Sequence, residues 1–273
     1  MSSSQTDSPS IGHALGQPEL PLLPHAAVVG VELAVTTYQG TMDWIDEVIR
    51  RGGRACLSAA AVHLVMVARE DPETMRAVRA TVTVPDGVPL VWALRALGHR
   101  DASRVYGPDL MAAYCARAAH TGTPMYLYGG RSEEAREQLE HALCERFPGL
   151  RIAGGWSPPF RELSEVERDE VAARINSSGA EVVWVGTGQP KQEKWMAEMR
   201  DRLDAPVLVG VGAAFDFHAG LVSQAPPWMQ RHGLEWIYRL SREPRRLWRR
   251  YARYNPRFVV AFARQYAVHR SAR

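Results

Sequence analysis

The chain has 273 residues, 46% of them hydrophobic and 23% charged, with a formal net charge of +3. That length can bury a full core as one large domain or two small ones, and no apolar run reaches the roughly 18 residues of a membrane span. Cys56, Cys115 and Cys144 lack metal-ligand spacing; they read as small apolar residues in a reducing compartment, which excludes a disulfide-stapled secreted scaffold. No basic segment followed by an apolar one opens the chain, so no signal peptide is expected and the cytoplasm is the expected location.

Residues 1–25 are rich in Ser, Pro and Gly and predict a disordered leader. A first apolar strand is predicted around 28–31, then a helix in "YQGTMDWIDEVIRRGG" (38–53), with apolar residues at helical spacing and a glycine pair as its stop. "RACLSAA" (54–60) reads as a second strand with Ser58 at its end. The next segment, 61–80, is helical with an interruption at Pro72, and His63 within it reads as structural.

The stretch that organises the rest is "TVTVPDG" (81–87), a short β-branched strand that stops at Pro85 and delivers Asp86 and Gly87 to a loop before a helix. A carboxylate at the carboxyl end of a buried strand is where open α/β sheets place ligands and catalytic groups. Asp86 therefore reads either as a helix cap or as a catalytic group. Arg104 follows in a loop and, on residue type alone, reads as solvated.

"PMYLYGG" (124–130) is a buried strand ending in Gly129 and Gly130, with a helix from Ser132; the arrangement suits a phosphate at a helix N-terminus. Helix 164–179 has Ser164 as its N-cap. "AEVVWVGTGQPKQEKW" (180–195) repeats the pattern, with a strand running into Gly186, Thr187 and Gly188 and Lys191 at the following helix start. Exposed amides, a helix N-terminus and a lysine together suit an anionic ligand. "VLVGVGAAFDFHAG" (207–220) is a further strand with a glycine-rich end, but its glycines do not make a dinucleotide fingerprint. Alternating strands and helices predict a Rossmann-like, doubly wound, mainly parallel α/β sheet with Ser58, Asp86, Gly129 and Gly186 along one edge.

From residue 223 the character changes to a helical segment rich in arginine and aromatics, expected to break at Pro244 and Pro256. From Trp228 onward twelve Arg face Glu235 and Glu243, a net +10, against −7 for the rest. In 245–254 the aromatics and arginines alternate as in a helix lying on an anionic lipid interface. Packing of those aromatics on the body, and nucleic-acid binding, are the competing readings. Three units are expected: 1–25 a leader, 26–222 an α/β domain, and 223–273 a membrane-associating appendage.

The segments "TVPDGVPLVWALRALG", "RVYGPDLM", "YLYGG", "VGTGQPKQEKWM", "GVGAAFDFHAG" and "GLEWIYRLSREPRRLWRRY" run in order from about 28 to 260. In this combination the chain resembles the WecG/TagA/CpsF glycosyltransferases, glycosyltransferase family 26. The resemblance implies an inverting, metal-independent enzyme without a cofactor. It would move an N-acetylmannosamine, its uronic acid or a glucuronic acid from a UDP-sugar to a polyprenyl-diphosphate-linked acceptor. The products would feed wall teichoic acid, enterobacterial common antigen or exopolysaccharide, made at the inner membrane face. The implied partners are the donor, the lipid-linked acceptor and an anionic membrane surface, without nucleic acid; homo-oligomers are open to it.

Carried over by position, the resemblance makes Asp86 catalytic and gives substrate-binding roles to Arg104, Gln192, Arg239, Arg246 and Arg249. Ser58 would supply a hydroxyl where many members carry Thr-x-Asn, whereas Ala60 and Ala61 lack the amide. Gln189 also replaces a small residue. Gly129, Gly130, Gly186, Gly188 and Lys191 complete the expected binding set. No Asp-x-Asp stands at a strand end to hold a metal. The competing function classes are a nucleotide-sugar-binding module without catalysis, a nicotinamide-dependent oxidoreductase, disfavoured by the missing early G-x-G-x-x-G, and a nucleic-acid binder.

Overall fold

The computed structural model describes residues 20–272. Strands β1 (His25–Val28) and β2 (Val31–Ala34) form an antiparallel hairpin. The predicted strand around 28–31 is instead its turn, in which Val29 and Gly30 both take left-handed φ, +54° and +87°. Two left-handed residues are what a two-residue hairpin turn needs. A β-branched residue there is strained, and Gln265 steadies it: Val29 N–H donates to Gln265 Oε1 at 2.8 Å, and Gln265 Nε2 donates to the Ala27 carbonyl at 2.7 Å. Residues 20–25 of the expected leader pack on the body, since Trp44 Nε1 donates to the Pro21 carbonyl and Leu20 lies on the core. The remainder of that leader lies outside the described residues.

Helix α1 (Tyr38–Arg50) follows, capped by the Thr37 side chain, and leads to β3 (Ala55–Ala60). Asp71 separates α2 (Val62–Glu70) from α3 (Pro72–Arg79) and caps α3, so the break falls where Pro72 fixes φ for a new first turn. The chain continues through β4 (Val82–Pro85), α4 (Val88–Ala96), α5 (Gly107–Thr121), β5 (Met125–Gly129), α6 (Glu133–Arg146) and β6 (Ile152–Trp156). It then forms α7 (Glu165–Ser178), closed by a Ser164–Glu167 capping box, β7 (Val182–Gly186), α8 (Lys191–Met199) and β8 (Val207–Gly210).

Six strands make one parallel sheet in the order β4-β3-β8-β7-β5-β6. This is the expected doubly wound α/β architecture. The chain lays β3 and β4 to one side, β5 and β6 to the other, and returns to insert β7 and β8 between them. Register pairs Ala60 with Pro85, Val185 with Gly210, Gly129 with Gly186 and Tyr128 with Trp156. The carboxyl ends of all six strands therefore share one edge, where such sheets bind ligands.

The last helices are α9 (Ala214–His218), α10 (Pro227–Arg231), α11 (Glu235–Arg242) and α12 (Pro244–Ser271). Pro244 starts α12 as expected, but the helix runs unbroken through Pro256. Packing holds it together: Phe258 is buried, and Tyr254, Phe262 and Tyr266 lie with it against the core formed by α2, α4 and the hairpin. Burial of an apolar face outweighs one lost backbone bond. Among the described residues no helix is long and apolar enough to cross a membrane.

Candidate active site

A cavity of about 1340 Å³ runs along the carboxyl edge of the sheet. Asp86 lies at the β4 end, Gly130, Gly186 and Gly188 line the floor, and Arg239, Arg246 and Arg250 come in from α11 and α12.

Asp86 leaves β4 after Pro85, with its N–H on the Ala60 carbonyl at 2.9 Å. Its Oδ1 accepts from Gly107 N–H, the first residue of α5, at 2.9 Å. The capping role is thus present, but toward α5; α4 begins at Gly87 without a side-chain cap. The other carboxylate oxygen has no hydrogen-bond partner among the described residues. Burial pushes the Asp86 carboxyl up to about 6; Arg104, the Gly107 N–H and Arg239 oppose the rise and Glu235 adds to it. A carboxylate poised near neutrality with one free oxygen in a cleft suits a general base.

Arg104 stands behind this loop. Its Nε donates to the Asp86 carbonyl at 2.6 Å, Nη2 donates to Glu235 at 2.6 Å, and the guanidinium lies 4.1 Å from the centre of the Tyr106 ring. It braces the Asp86 loop and is not solvated.

The glycine pairs have distinct reasons. A Cβ on Gly129 would meet the Gly186 backbone at 2.7 Å, and one on Gly186 would meet the Phe215 ring at 2.5 Å, so β5, β7 and the α9 turn come this close only without side chains. Gly188 has φ +83° with open space beside it, leaving its backbone accessible at the start of α8. Lys191 stands exposed on the cavity wall at that start.

Positive charge gathers opposite Asp86. Arg246 pairs with Glu243 at 2.5 Å, whereas Lys191, Arg239 and Arg250 have no carboxylate partner among the described residues. Arg250 is largely enclosed, its Nε unpartnered, and burial pulls it down to about 10, still charged at neutral pH. Its neighbour His63 is held neutral, lowered to about 3 by burial and then by Arg250, and stands edge-on to Tyr254. A buried cation without a counter-charge costs stability unless an anion completes it.

Besides Arg104, which stands behind the loop, four expected residues fall outside the cavity lining. Ser58 lies inside β3, not at its end, and is fully buried; its hydroxyl donates to Glu193 Oε1 at 2.6 Å. Gln192 is also fully buried, with Nε2 on Glu193 and Oε1 accepting from Gly212 N–H at 2.9 Å. It positions the turn after β8 from beneath. Gly129 sits under the floor, and Arg249 is exposed, its guanidinium 5.5 Å from the Trp248 ring. One helical step turns the side chain by about 100°, so Arg250 reaches the cavity in its place. Ala59 and Ala61 also line the cavity. Ala61 is the N-cap of α2 without a side-chain hydrogen bond, and the amide at this wall is that of Gln189, whose Nε2 donates to the Ala59 carbonyl at 2.6 Å.

Two residues within the segment "VGTGQPKQEKWM" received no role from the sequence. Glu193 is fully buried and pushed up to about 7, chiefly by burial, beneath the Lys191 loop. At the β6 end, Trp195 stacks on Tyr128 with ring centres 3.8 Å apart and lines the cavity wall.

This edge can take a long ligand with a negatively charged middle, between a carboxylate at one end and an aromatic shelf at the other. The sequence model of the Glycosyl transferase WecG/TagA/CpsF family matches residues 26–272, and the chain belongs to that family of glycosyltransferases of cell-surface polysaccharide synthesis.

Proposed function

We propose that the chain transfers a hexosyl group, of N-acetylmannosamine, its uronic acid or glucuronic acid type, from a UDP-sugar to a polyprenyl-diphosphate-linked acceptor, with inversion and without a metal. The observation that carries this reading is that Asp86, with one carboxylate oxygen unpartnered among the described residues, lines the cleft together with Arg239 and Arg250, which have no carboxylate partner among those residues. The acceptor hydroxyl attacks the anomeric carbon while Asp86 takes its proton, and the bond to the diphosphate breaks with its electron pair on the leaving group. Lys191, Arg239, Arg246 and Arg250, with the amides around Gly188, meet the charge that develops there. Gln192, through Gly212, holds the turn that forms part of the same wall.

Acceptor delivery belongs to the C-terminal helices. Trp228, Trp236, Ile237 and Trp248 are exposed on α10 to α12 among arginines, a surface suited to a peripheral contact with the anionic inner face of the cell membrane.

The test is UDP release from a panel of UDP-sugars with a short polyprenyl-diphosphate-N-acetylglucosamine analogue, in EDTA. Acceptor-dependent release from one donor is expected. Donor binding without release from any of them would support a binding module instead, and release that needs a divalent cation would remove the metal-independent step.

A further inference from the structure

Only two acidic residues, Glu235 and Glu243, occur among the twelve arginines of the last 46 residues. Glu243 sits beside Arg246 on the rim. Glu235 turns inward: its side chain is 14% exposed, and its Oε2 lies 2.6 Å from Arg104 Nη2, itself 19% exposed. The same guanidinium donates through Nε to the Asp86 carbonyl at 2.6 Å. A continuous chain of charged hydrogen bonds thus runs from α11 to the backbone of the residue at the β4 end.

We propose that Glu235 is a positioning residue for Asp86: it holds Arg104 against the Asp86 loop and makes the base depend on the seating of α11. The inference rests on Asp86 being the base. Two physical effects follow. Arg104 has five donors and a fixed planar fork, so a second anchor on Glu235 fixes the direction of the bond to the Asp86 carbonyl. Glu235 also cancels part of the Arg104 charge that faces the Asp86 carboxylate. The charged and titratable groups around Asp86 are Tyr38 of α1, Arg104 and Tyr106 before α5, and Glu235 and Arg239 of α11. Both tyrosines are pushed above their ordinary value, chiefly by burial, and stay neutral near pH 7. The balance at Asp86 is therefore set by two arginines against one glutamate.

The test is a carboxyl-carbon NMR titration of the full chain, with the Asp86 signal assigned through Asp86→Asn. Wild type is expected to titrate near pH 6. Glu235→Gln keeps a hydrogen-bond acceptor for Arg104 but loses the charge, so its midpoint should fall. The double variant Arg104→Gln, Glu235→Gln should rise above wild type, because Arg104 weighs more at Asp86 than Glu235 does. In the transferase assay, Glu235→Gln should move the acid limb of kcat/KM the same way and lower kcat, with UDP affinity by calorimetry unchanged. An Asp86 midpoint in Glu235→Gln equal to or above wild type overturns the proposal, whatever happens to stability. If the midpoints order as expected but Asp86→Asn transfers sugar at full rate, the base assignment fails and the electrostatic coupling stands.

Discussion

Asp86 divides its carboxylate between two tasks. One oxygen ties the start of α5 to the end of β4; the other has no hydrogen-bond partner among the described residues, on a residue that lines the cleft. Asn keeps the first and loses the second, so Asp86→Asn should fold, bind UDP and lose about 10²–10⁴-fold in turnover, measured as UDP release under saturating donor. The buried Glu193 makes a separate prediction. Its folded value of about 7 stands above the ordinary 4.5, so the folded protein retains a proton that the unfolded chain releases. Its contribution is fully present below about pH 4.5 and is lost as pH rises through 7. Glu193→Gln should remove that slope, a relative gain on the order of 3 kcal/mol between pH 5 and 8, read from urea unfolding at several pH values. An equal slope in both proteins would remove Glu193 as its source. Asp86, Gly186, Gly188 and Lys191 were legible because a strand end marks them. Ser58 and Gln192 were not: Ser58 is followed by Ala59, Ala60 and Ala61, none of which marks a strand end, and the partner that buries Ser58 lies 135 residues away. Likewise, sequence spacing does not say which of Arg249 and Arg250 faces the body, since both flank the same turn of α12.

At the scale of elements, the site is a close approach of β5, β7 and α9. Gly186→Ala would place a Cβ 2.5 Å from the Phe215 ring. That ring is buried in the core, so the substitution should cost about 1–3 kcal/mol as overpacking and weaken UDP binding by displacing the turn after β8. Thermal unfolding and calorimetry read the two effects; unchanged values for both would show that the turn yields freely. The alternation of strands and helices, the capped starts at Ser132 and Ser164 and the break at Pro72 followed from local chemistry, and the sheet edge followed from them. The hairpin turn at Val29 and the unbroken passage of α12 through Pro256 did not, because both rest on contacts between chain ends: Gln265 holds Val29, and Phe258 packs beneath α12. Phe258→Ala should accordingly cost about 3–5 kcal/mol, more than an exposed loop residue, and loosen the hairpin as well as the helix in hydrogen exchange.

For the whole molecule, the split between a −7 body and a +10 C-terminal segment meets a helix that is half buried. The inner face of α12 covers α2, α4 and the hairpin, so cutting the chain after Gly220 would uncover core and confuse folding with membrane contact. The outer face can be tested alone. Trp248 is 52% exposed, and Arg245 and Arg249 beside it are exposed without a carboxylate partner among the described residues. Each arginine near an anionic leaflet contributes about 1 kcal/mol, so Arg245→Gln with Arg249→Gln should weaken partition into phosphatidylserine-containing vesicles about thirtyfold. Trp248→Ser should weaken it further by removing the ring from the interface. Raising the salt should abolish most of the difference, because the field of the leaflet falls off within a Debye length. Since none of the three side chains lines the cavity, turnover with a short water-soluble acceptor should hold while turnover on vesicle-borne acceptor falls. Sedimentation of the triple variant with the vesicles as completely as wild type would mean that this face is an ordinary solvated surface, and that the acceptor reaches Asp86 by another side of the molecule.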